Sequence, residues 1–202
     1  MLSVAATREL AVAELAPLMR DMTPVRTGWW ARPAGDEHFA MLGLLAWKGG
    51  RLILAYGVSC AYVPHWPGAE WRWHRTLAQA QPDLWVDSLL TGRPRDVAIS
   101  QLRGERAARE DARRLLDQMG GTVTAFWAAT STPAGVRDAA LAQADPDSRL
   151  HTPHPFLVAA FAAARLGDLP GARGLLDRCA HLLPASALAT APALLEQVAT
   201  AA

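Results

Sequence analysis

The chain has 202 residues, of which 51% are hydrophobic, and its formal net charge at pH 7 is +1. This length and composition argue against a disordered chain because they suffice for a buried core, and the near-zero charge argues against nucleic acid or an anionic membrane as a partner. The longest apolar runs, 39–47 and 156–164, are far shorter than the roughly 20 residues of a membrane-spanning helix. Because the N-terminus also lacks the pattern of a signal peptide, we expect a cytoplasmic protein.

The first predicted element is a helix over residues 3–22. Ser3 can cap it, Thr23 and Pro24 can end it, and one apolar stripe follows the helical period. That stripe consists of Val4, Ala11, Leu15, Leu18 and Met22.

Residues 28–32 predict a first strand, and a long apolar hairpin follows it. The arms of the hairpin are 39–47 and 51–63, and they are joined by a turn at 48–50 whose two glycines can adopt positive φ angles. Both faces of each arm are apolar, which is typical of a central strand that is covered on both sides. We therefore expect helices from elsewhere in the chain to cover at least one face of this sheet.

The next segments extend the predicted sheet. A turn-rich stretch at 64–68 leads into 70–75, where tryptophans alternate with polar residues at the period of two that predicts another antiparallel strand. Residues 84–90 predict either a final edge strand or a short helix, and 91–95 predict a loop. The expected sheet has four or five strands.

From residue 97 the apolar period becomes helical. The first helix carries glutamate–arginine pairs four residues apart and is expected to end at the glycines 120–121, because glycine readily takes the left-handed conformation at a helix C-terminus. Residues 122–130 favour a further helix over a strand. The segment 131–133 has the pattern of a capped helix start, and that helix is expected to reach residue 143.

Residues 145–155 are rich in proline and polar side chains and predict a linker. This linker divides an α+β domain at 1–144 from a helical region at 156–202, which is expected to pack on the domain. Two helices of this region resemble one tetratricopeptide-type pair, and a last helix is predicted to begin at Pro192. A stacked repeat array needs about three or more such units, so one pair predicts a packing element.

The cysteines and linker histidines do not have the spacing of a metal site. Cys60 and Cys179 are far apart in the sequence, and isolated cysteines of this kind are usually buried thiols. We expect both to be reduced. His151 and His154 flank a proline, which favours a surface position. Since no phosphate-binding glycine loop occurs either, the sequence predicts neither a metal ion nor a cofactor.

Seven of the eight tryptophans lie between residues 29 and 85, and three of them crowd one short segment beside histidine and arginine. Tryptophan and arginine are the commonest anchors of protein interfaces. The competing interpretation is that these rings pack between the sheet and the helices as part of the core. We predict a domain without enzymatic activity, and the sequence does not indicate its oligomeric state. It would bind a protein partner through Trp66, Trp71, Trp73, His74 and Arg75.

The alternative prediction is a small hydrolase or transferase. A histidine with an orienting carboxylate can act as a general base, and the candidates are His65 or His74 with Asp83 or Asp87. The available hydroxyl nucleophiles are Ser59, Thr76 and Ser88. No Gly-x-Ser-x-Gly motif supports this alternative. Single-stranded nucleic-acid binding by the Trp-Arg-Trp-His-Arg segment is disfavoured, because helical pairs with glutamate occupy several nearby arginines.

Residues 56–65, followed by 71–76 and by Asp83 and Leu84, resemble a poorly characterised group of small bacterial α+β domains. Some members of that group are encoded beside polymorphic toxins and are regarded as immunity proteins. The resemblance implies a helix, a curved antiparallel sheet and further helices, with no catalytic residues to carry over. It also implies a toxin as the protein partner. Immunity proteins against basic nucleases tend to be acidic, so the near-neutral charge argues against a nuclease toxin.

Overall fold

The computed structural model describes residues 1–90, 97–146 and 153–201, and it has the α+β architecture that the sequence predicts. The α-helices of the described residues are α1 (Val4–Glu14), α2 (Ala16–Met19), α3 (Glu105–Ala129), α4 (Pro133–Gln143), α5 (Pro155–Arg165), α6 (Leu169–Cys179) and α7 (Ala185–Thr200). The strands are β1 (Thr23–Arg26), β2 (Trp29–Pro33), β3 (His38–Trp47), β4 (Arg51–Cys60), β5 (Leu84–Asp87) and β6 (Ala98–Ser100). Short 3-10 turns occur at Leu77–Gln79, Ser88–Leu90 and Ala180–Leu182.

The N-terminal helix is confirmed as two consecutive pieces, α1 and α2. The hydroxyl of Ser3 accepts the N–H of Ala6 over 3.1 Å, so it caps α1 as predicted. The helical stretch ends at Met19, and Pro24 lies in the outer strand β1. A proline is tolerated in such an edge strand because its missing N–H faces away from the neighbouring strand.

The six-stranded sheet has the order β1-β2-β3-β4-β5, and β6 also pairs with β4. The antiparallel register of β4 with β6 places Arg51 opposite Ser100. Strands β1 and β6 were not predicted, because segments of four and three residues show too little periodicity. β5 is followed directly by a 3-10 turn, so residues 84–90 combine the two predicted alternatives.

The central hairpin of β3 and β4 is confirmed. Gly49 and Gly50 have φ angles of 74° and 64°, which are the left-handed values that a tight turn between twisted strands requires. Every residue of β4 after Arg51 is buried, as are the first seven residues of β3. The hairpin is therefore covered on both faces, as its two-sided apolar pattern predicts.

The strand predicted at 70–75 is wrong. In its place the structure has an isolated bridge, in which His65 and Arg72 exchange backbone hydrogen bonds of 2.9 and 2.8 Å. The indole Nε1 of Trp71 donates to the hydroxyl of Thr190 over 3.0 Å, across 119 residues of sequence. This long-range side-chain contact overrides the local period of two.

The helix end predicted at 120–121 is also wrong, because α3 continues through both glycines to Ala129. Neither glycine has a positive φ. Each costs the helix about 1 kcal/mol relative to alanine. Val123 and Trp127 are buried on the continued face, and burial of one large apolar side chain contributes roughly 1.5–3 kcal/mol. The helix favoured over 122–130 is thus the second half of α3.

Helices α4 to α7 pack around α5, which is buried at every residue before Arg165. Thr132 accepts the N–H of Gly135 over 3.2 Å and caps α4, with Pro133 in its first turn, so the predicted helix start is confirmed. α5 and α6 form the predicted helix pair, and Gly167 in their turn has a φ of 82°.

The predicted start of the last helix is wrong, because α7 begins at Ala185 and contains Pro192. A proline removes one helical hydrogen bond. Ala187, Ala191 and Leu195 are buried along one face of α7. Burial of this apolar face on both sides of Pro192 stabilises α7 as one continuous helix.

Contacts divide the chain into two compact units. The first comprises the described residues of Met1–Arg32, Ala40–Gly57 and Trp85–Trp127, and the second those of Pro33–Phe39, Val58–Leu84 and Ala128–Ala202. The predicted loop 91–95 lies outside the described residues, and so does most of the predicted linker, including His151. The domain division at that linker therefore stays a prediction. Every described helix is too short or too polar to cross a lipid bilayer.

Candidate functional site

The candidate site lies in the second unit, where the chain leaves β4. The backbone N–H of Asp83 donates to the carbonyl of Val58 over 2.9 Å. This hydrogen bond places the Asp83 side chain beside Cys60, the last residue of β4. The 22 residues between them, 61–82, leave the sheet and return to it.

Part of that excursion is a loop closed by the backbone bridge of His65 and Arg72. The loop turns at Gly68, whose φ of 124° favours glycine. We call residues 65–75 the aromatic loop. Its indoles are those of Trp66, Trp71 and Trp73.

The carboxylate of Asp83 is wholly buried and has three donors. Its Oδ2 accepts the N–H of Cys60 over 2.5 Å, its Oδ1 pairs with Nε2 of His65, and the Ser59 hydroxyl also donates to it. Burial raises the pKa of Asp83, and the hydrogen bond from His65 opposes that rise. Since a buried carboxylate without donors would be costly, the three donors tie Asp83 to the end of β4 and to the aromatic loop.

The imidazoles of His65 and His74 meet edge to face, with ring centroids 4.4 Å apart and planes at 83°. The side chain of His65 is 12% exposed, and His74 is buried. The structure thus brings together three of the sequence-derived catalytic candidates, His65, His74 and Asp83. Because Nε2 of His65 faces the carboxylate, Nδ1 is the ring atom that remains to exchange a proton with a ligand. A carboxylate that orients an imidazole is the arrangement of a general base.

Two of the candidate nucleophiles in this unit are engaged in other hydrogen bonds. The buried Ser59 donates to Asp83 and accepts the N–H of Gln81 over 3.3 Å. The hydroxyl of Thr76 donates to Oε1 of Gln79 over 3.1 Å. These bonds give Ser59 a supporting position at the carboxylate and fix Thr76 at the start of a 3-10 turn.

The other acid and hydroxyl candidates, Asp87 and Ser88, belong to the first unit. Oδ1 of Asp87 accepts the N–H of Leu89 over 2.8 Å, and the buried Ser88 hydroxyl donates to the carbonyl of Val97 over 2.6 Å. Both side chains therefore stabilise the 3-10 turn after β5.

A second polar group in the same unit was not predicted from the sequence. Nε2 of His38 lies 3.1 Å from the Tyr62 hydroxyl, and Nε of Arg165 donates to Glu37 over 2.7 Å. The position of the turn nevertheless indicates which residues meet across the hairpin, because residues 38 and 60 are equidistant along the chain from Gly49. An even hairpin about that glycine brings the start of β3 to the end of β4.

Burial controls the protonation of these groups. It lowers the pKa of His38, and it raises the pKa of Tyr62 and of the Cys60 thiol. The negative charge of Asp83 raises the pKa of Cys60 further. Cys60 is therefore a thiol at neutral pH and a poor nucleophile, since the thiolate is the reactive form. Both cysteines are free and buried, as predicted.

The indoles of the aromatic loop are half-buried. Trp66 and Trp71 pack edge to face with centroids 5.3 Å apart, and Trp71 lies 6.2 Å from the ring of Phe161. The exposed Arg75 places its guanidinium 4.5 Å from the ring centre of Trp73. One side of each ring is thus fixed by packing while part of it faces solvent.

Among the described residues, no group of three histidine, cysteine or acidic side chains is placed to hold a metal ion. The chain matches no protein-family model, and searches of curated proteins and of solved structures also find no match.

Proposed function

We propose that the protein is a binding domain that presents its aromatic loop to a protein partner. The observation that carries this proposal is that Trp66, Trp71 and Trp73 are partly exposed on a loop without regular secondary structure. Partly exposed indoles beside arginine have the composition of interface hot spots. His74 is buried and packs against the ring of His65 within the loop, so it supports this surface without being part of the contact area.

The loop is also held in place before any partner arrives. The backbone bridge closes it, His65 ties it to the buried carboxylate of Asp83, and Trp71 is hydrogen-bonded to Thr190. Association is weakened when flexible side chains and loops must be ordered. A loop that is already ordered avoids much of that loss.

The exposed charges of the loop define the chemistry of the partner. Arg72 and Arg75 are exposed, and Glu70 forms an exposed ion pair with Arg72 over 3.4 Å. The loop surface therefore carries a net charge of +1 beside apolar rings. It fits a protein surface with an apolar contact patch and a carboxylate near it. In its more specific form the proposal names a toxin with such a surface, which would make the protein an immunity-like factor.

The product of an adjacent open reading frame is the first partner to test. We expect the purified wild-type protein to bind it, and the double variant Trp73→Ala/Arg75→Ala to bind at least roughly 100-fold more weakly, since each hot spot is worth about 2 kcal/mol. The matched control is Trp47→Ala/Arg20→Ala, because Trp47 is 39% exposed and the Arg20 side chain 86% exposed, both outside the loop. Equal binding by the two double variants contradicts the proposed surface. Failure of every adjacent product to bind the wild type contradicts the immunity-like form.

A hydrolase or transferase is the second candidate function, and the hydrogen-bonded His65–Asp83 pair is the observation that favours it. Chromogenic acetyl and phosphoryl esters test it directly. An enzyme of this class loses at least roughly 100-fold in kcat when its general base is removed by His65→Gln. A wild-type rate no greater than that of His65→Gln contradicts this alternative.

A further inference from the structure

Three of the seven described residues that line a groove in the first unit are arginines. Its volume is about 610 Å³, which falls in the range of about 300–1,000 Å³ for small-molecule sites. Arg51, Arg103, Arg114 and Asp111 are its charged lining residues. These four side chains carry a net charge of +2, so the groove is suited to an anion.

A buried carboxylate positions two of the three guanidinium groups. The side chain of Asp111 is 2% exposed, and its Oδ1 accepts from Arg103 over 2.6 Å and from Arg114 over 2.9 Å. Its Oδ2 accepts the backbone N–H of Ser100 over 3.0 Å. Because Asp111 is held on α3 and Ser100 on β6, the guanidinium groups are anchored to regular secondary structure.

The third guanidinium comes from the neighbouring strand. The register of β4 with β6 sets Arg51 opposite Ser100, whose N–H supports Asp111. Asp111 pairs with two guanidinium groups, those of Arg103 and Arg114, and Arg51 adds a third arginine to the lining of the groove. Ala98 and the 59% exposed Leu102 add apolar surface to the lining.

We propose that the groove binds a small molecule that carries a phosphate group. The phosphate faces the guanidinium groups, since a planar guanidinium matches phosphate oxygens with two parallel hydrogen bonds. The organic part of the ligand lies against Ala98 and Leu102. This binding site is independent of the aromatic loop, and Asp111 acts in it as a positioning residue.

Calorimetric titration at constant ionic strength tests the proposal with two probes, inorganic phosphate and phenyl phosphate. We expect both to bind the wild type and phenyl phosphate to bind more tightly, because its ring covers apolar lining. Arg51→Gln should weaken phenyl phosphate binding about tenfold, as loss of a charge-assisted hydrogen bond does. The matched control Arg20→Gln removes the same charge outside the groove and should change the affinity less than about twofold.

Three results would overturn the proposal. The first is no binding of either probe, and the second is equal affinity for the two. The third is an equal loss of affinity in Arg51→Gln and Arg20→Gln, which indicates a general charge effect. Far-ultraviolet circular dichroism and the urea midpoint establish that each variant is folded. Arg51 is the position to change because it lies at a strand end, whereas Arg103 also contributes to the buried Asp111 network.

Discussion

The imidazole of His65 is hydrogen-bonded to the carboxylate of Asp83 although the carboxylate is wholly buried and the imidazole reaches the surface. The contact joins the aromatic loop to the segment that enters β5. The orientation of the His65 ring and the position of the aromatic loop therefore depend on the same pair. This dependence applies to both candidate functions, because a binding loop needs the pair for its position and a general base needs it for orientation.

Removal of the Asp83 carboxylate should destabilise the protein strongly. Asp83→Ala leaves the N–H of Cys60 and the hydroxyl of Ser59 without their acceptor, and breaking a buried pair typically lowers the free energy of unfolding by about 3–5 kcal/mol. Urea unfolding measures the change. Asp138→Ala is the control, because Asp138 is exposed and pairs with Arg137, and such surface pairs contribute about 0–1 kcal/mol. Equal midpoints for the two variants would show that Asp83 has no structural role.

The stability of the protein should depend on pH through His38. Burial lowers the pKa of His38 below its usual 6.5. As the pH falls through 6.5, the unfolded chain takes up a proton that the folded protein accepts only at lower pH. The stabilisation is therefore complete above the unfolded pKa and is lost as the pH falls from there through the folded pKa. For one titrating group, the free energy of unfolding changes by at most about 1.4 kcal/mol per pH unit.

Urea unfolding of the wild type and of His38→Gln between about pH 5 and pH 8 isolates this contribution. We expect the wild type to lose stability relative to His38→Gln as the pH falls below 6.5. His181→Gln is the control, because His181 is exposed. If the free energies of unfolding of the wild type and of His38→Gln change in parallel with pH, His38 is not the source of the pH dependence.

Local signals explain which parts of the fold and site were predictable. The hairpin follows from a glycine turn between two apolar arms, all within residues 39–63. His65, His74 and Asp83 lie within 19 residues of one another, so a single excursion from the sheet could be expected to gather them. These three residues could be identified from the sequence because histidine and aspartate have recognisable chemistry and here lie close together in the chain.

Long-range contacts explain the failures. The indole of Trp71 bonds to Thr190 across 119 residues, and Arg165 bonds to Glu37 across 128. No period in a local window contains such partners, so the strand at 70–75 was predicted wrongly and Glu37 was missed. The end of α3 was misplaced for a related reason, because burial of Trp127 outweighs the local preference of two glycines.

Both thiols should be unreactive in the folded protein. Burial raises the pKa of Cys179 to about 11 and also raises that of Cys60, so little thiolate forms at neutral pH. We expect Ellman's reagent at about pH 8 to react with neither cysteine in the native protein and with both after denaturation, since the thiolate is the attacking form. Cys60→Ser and Cys179→Ser variants assign any signal to one residue. Rapid reaction of native Cys60 would contradict its buried, protonated state.

Glycines in helices should respond to alanine according to the space around them. An added methyl at Gly121 in α3 or at Gly174 in α6 would have no neighbour within 4 Å, so each alanine should raise the free energy of unfolding by about 0.5–1 kcal/mol. At Gly135 in α4 the methyl would collide with the backbone carbonyl of Ala129, and the substitution should lower the free energy by roughly 1–3 kcal/mol. Urea unfolding of the three variants gives the comparison. Destabilisation by Gly121→Ala would contradict the continuous α3. At such an open position, alanine is unfavourable only where the glycine has the left-handed conformation of a helix end.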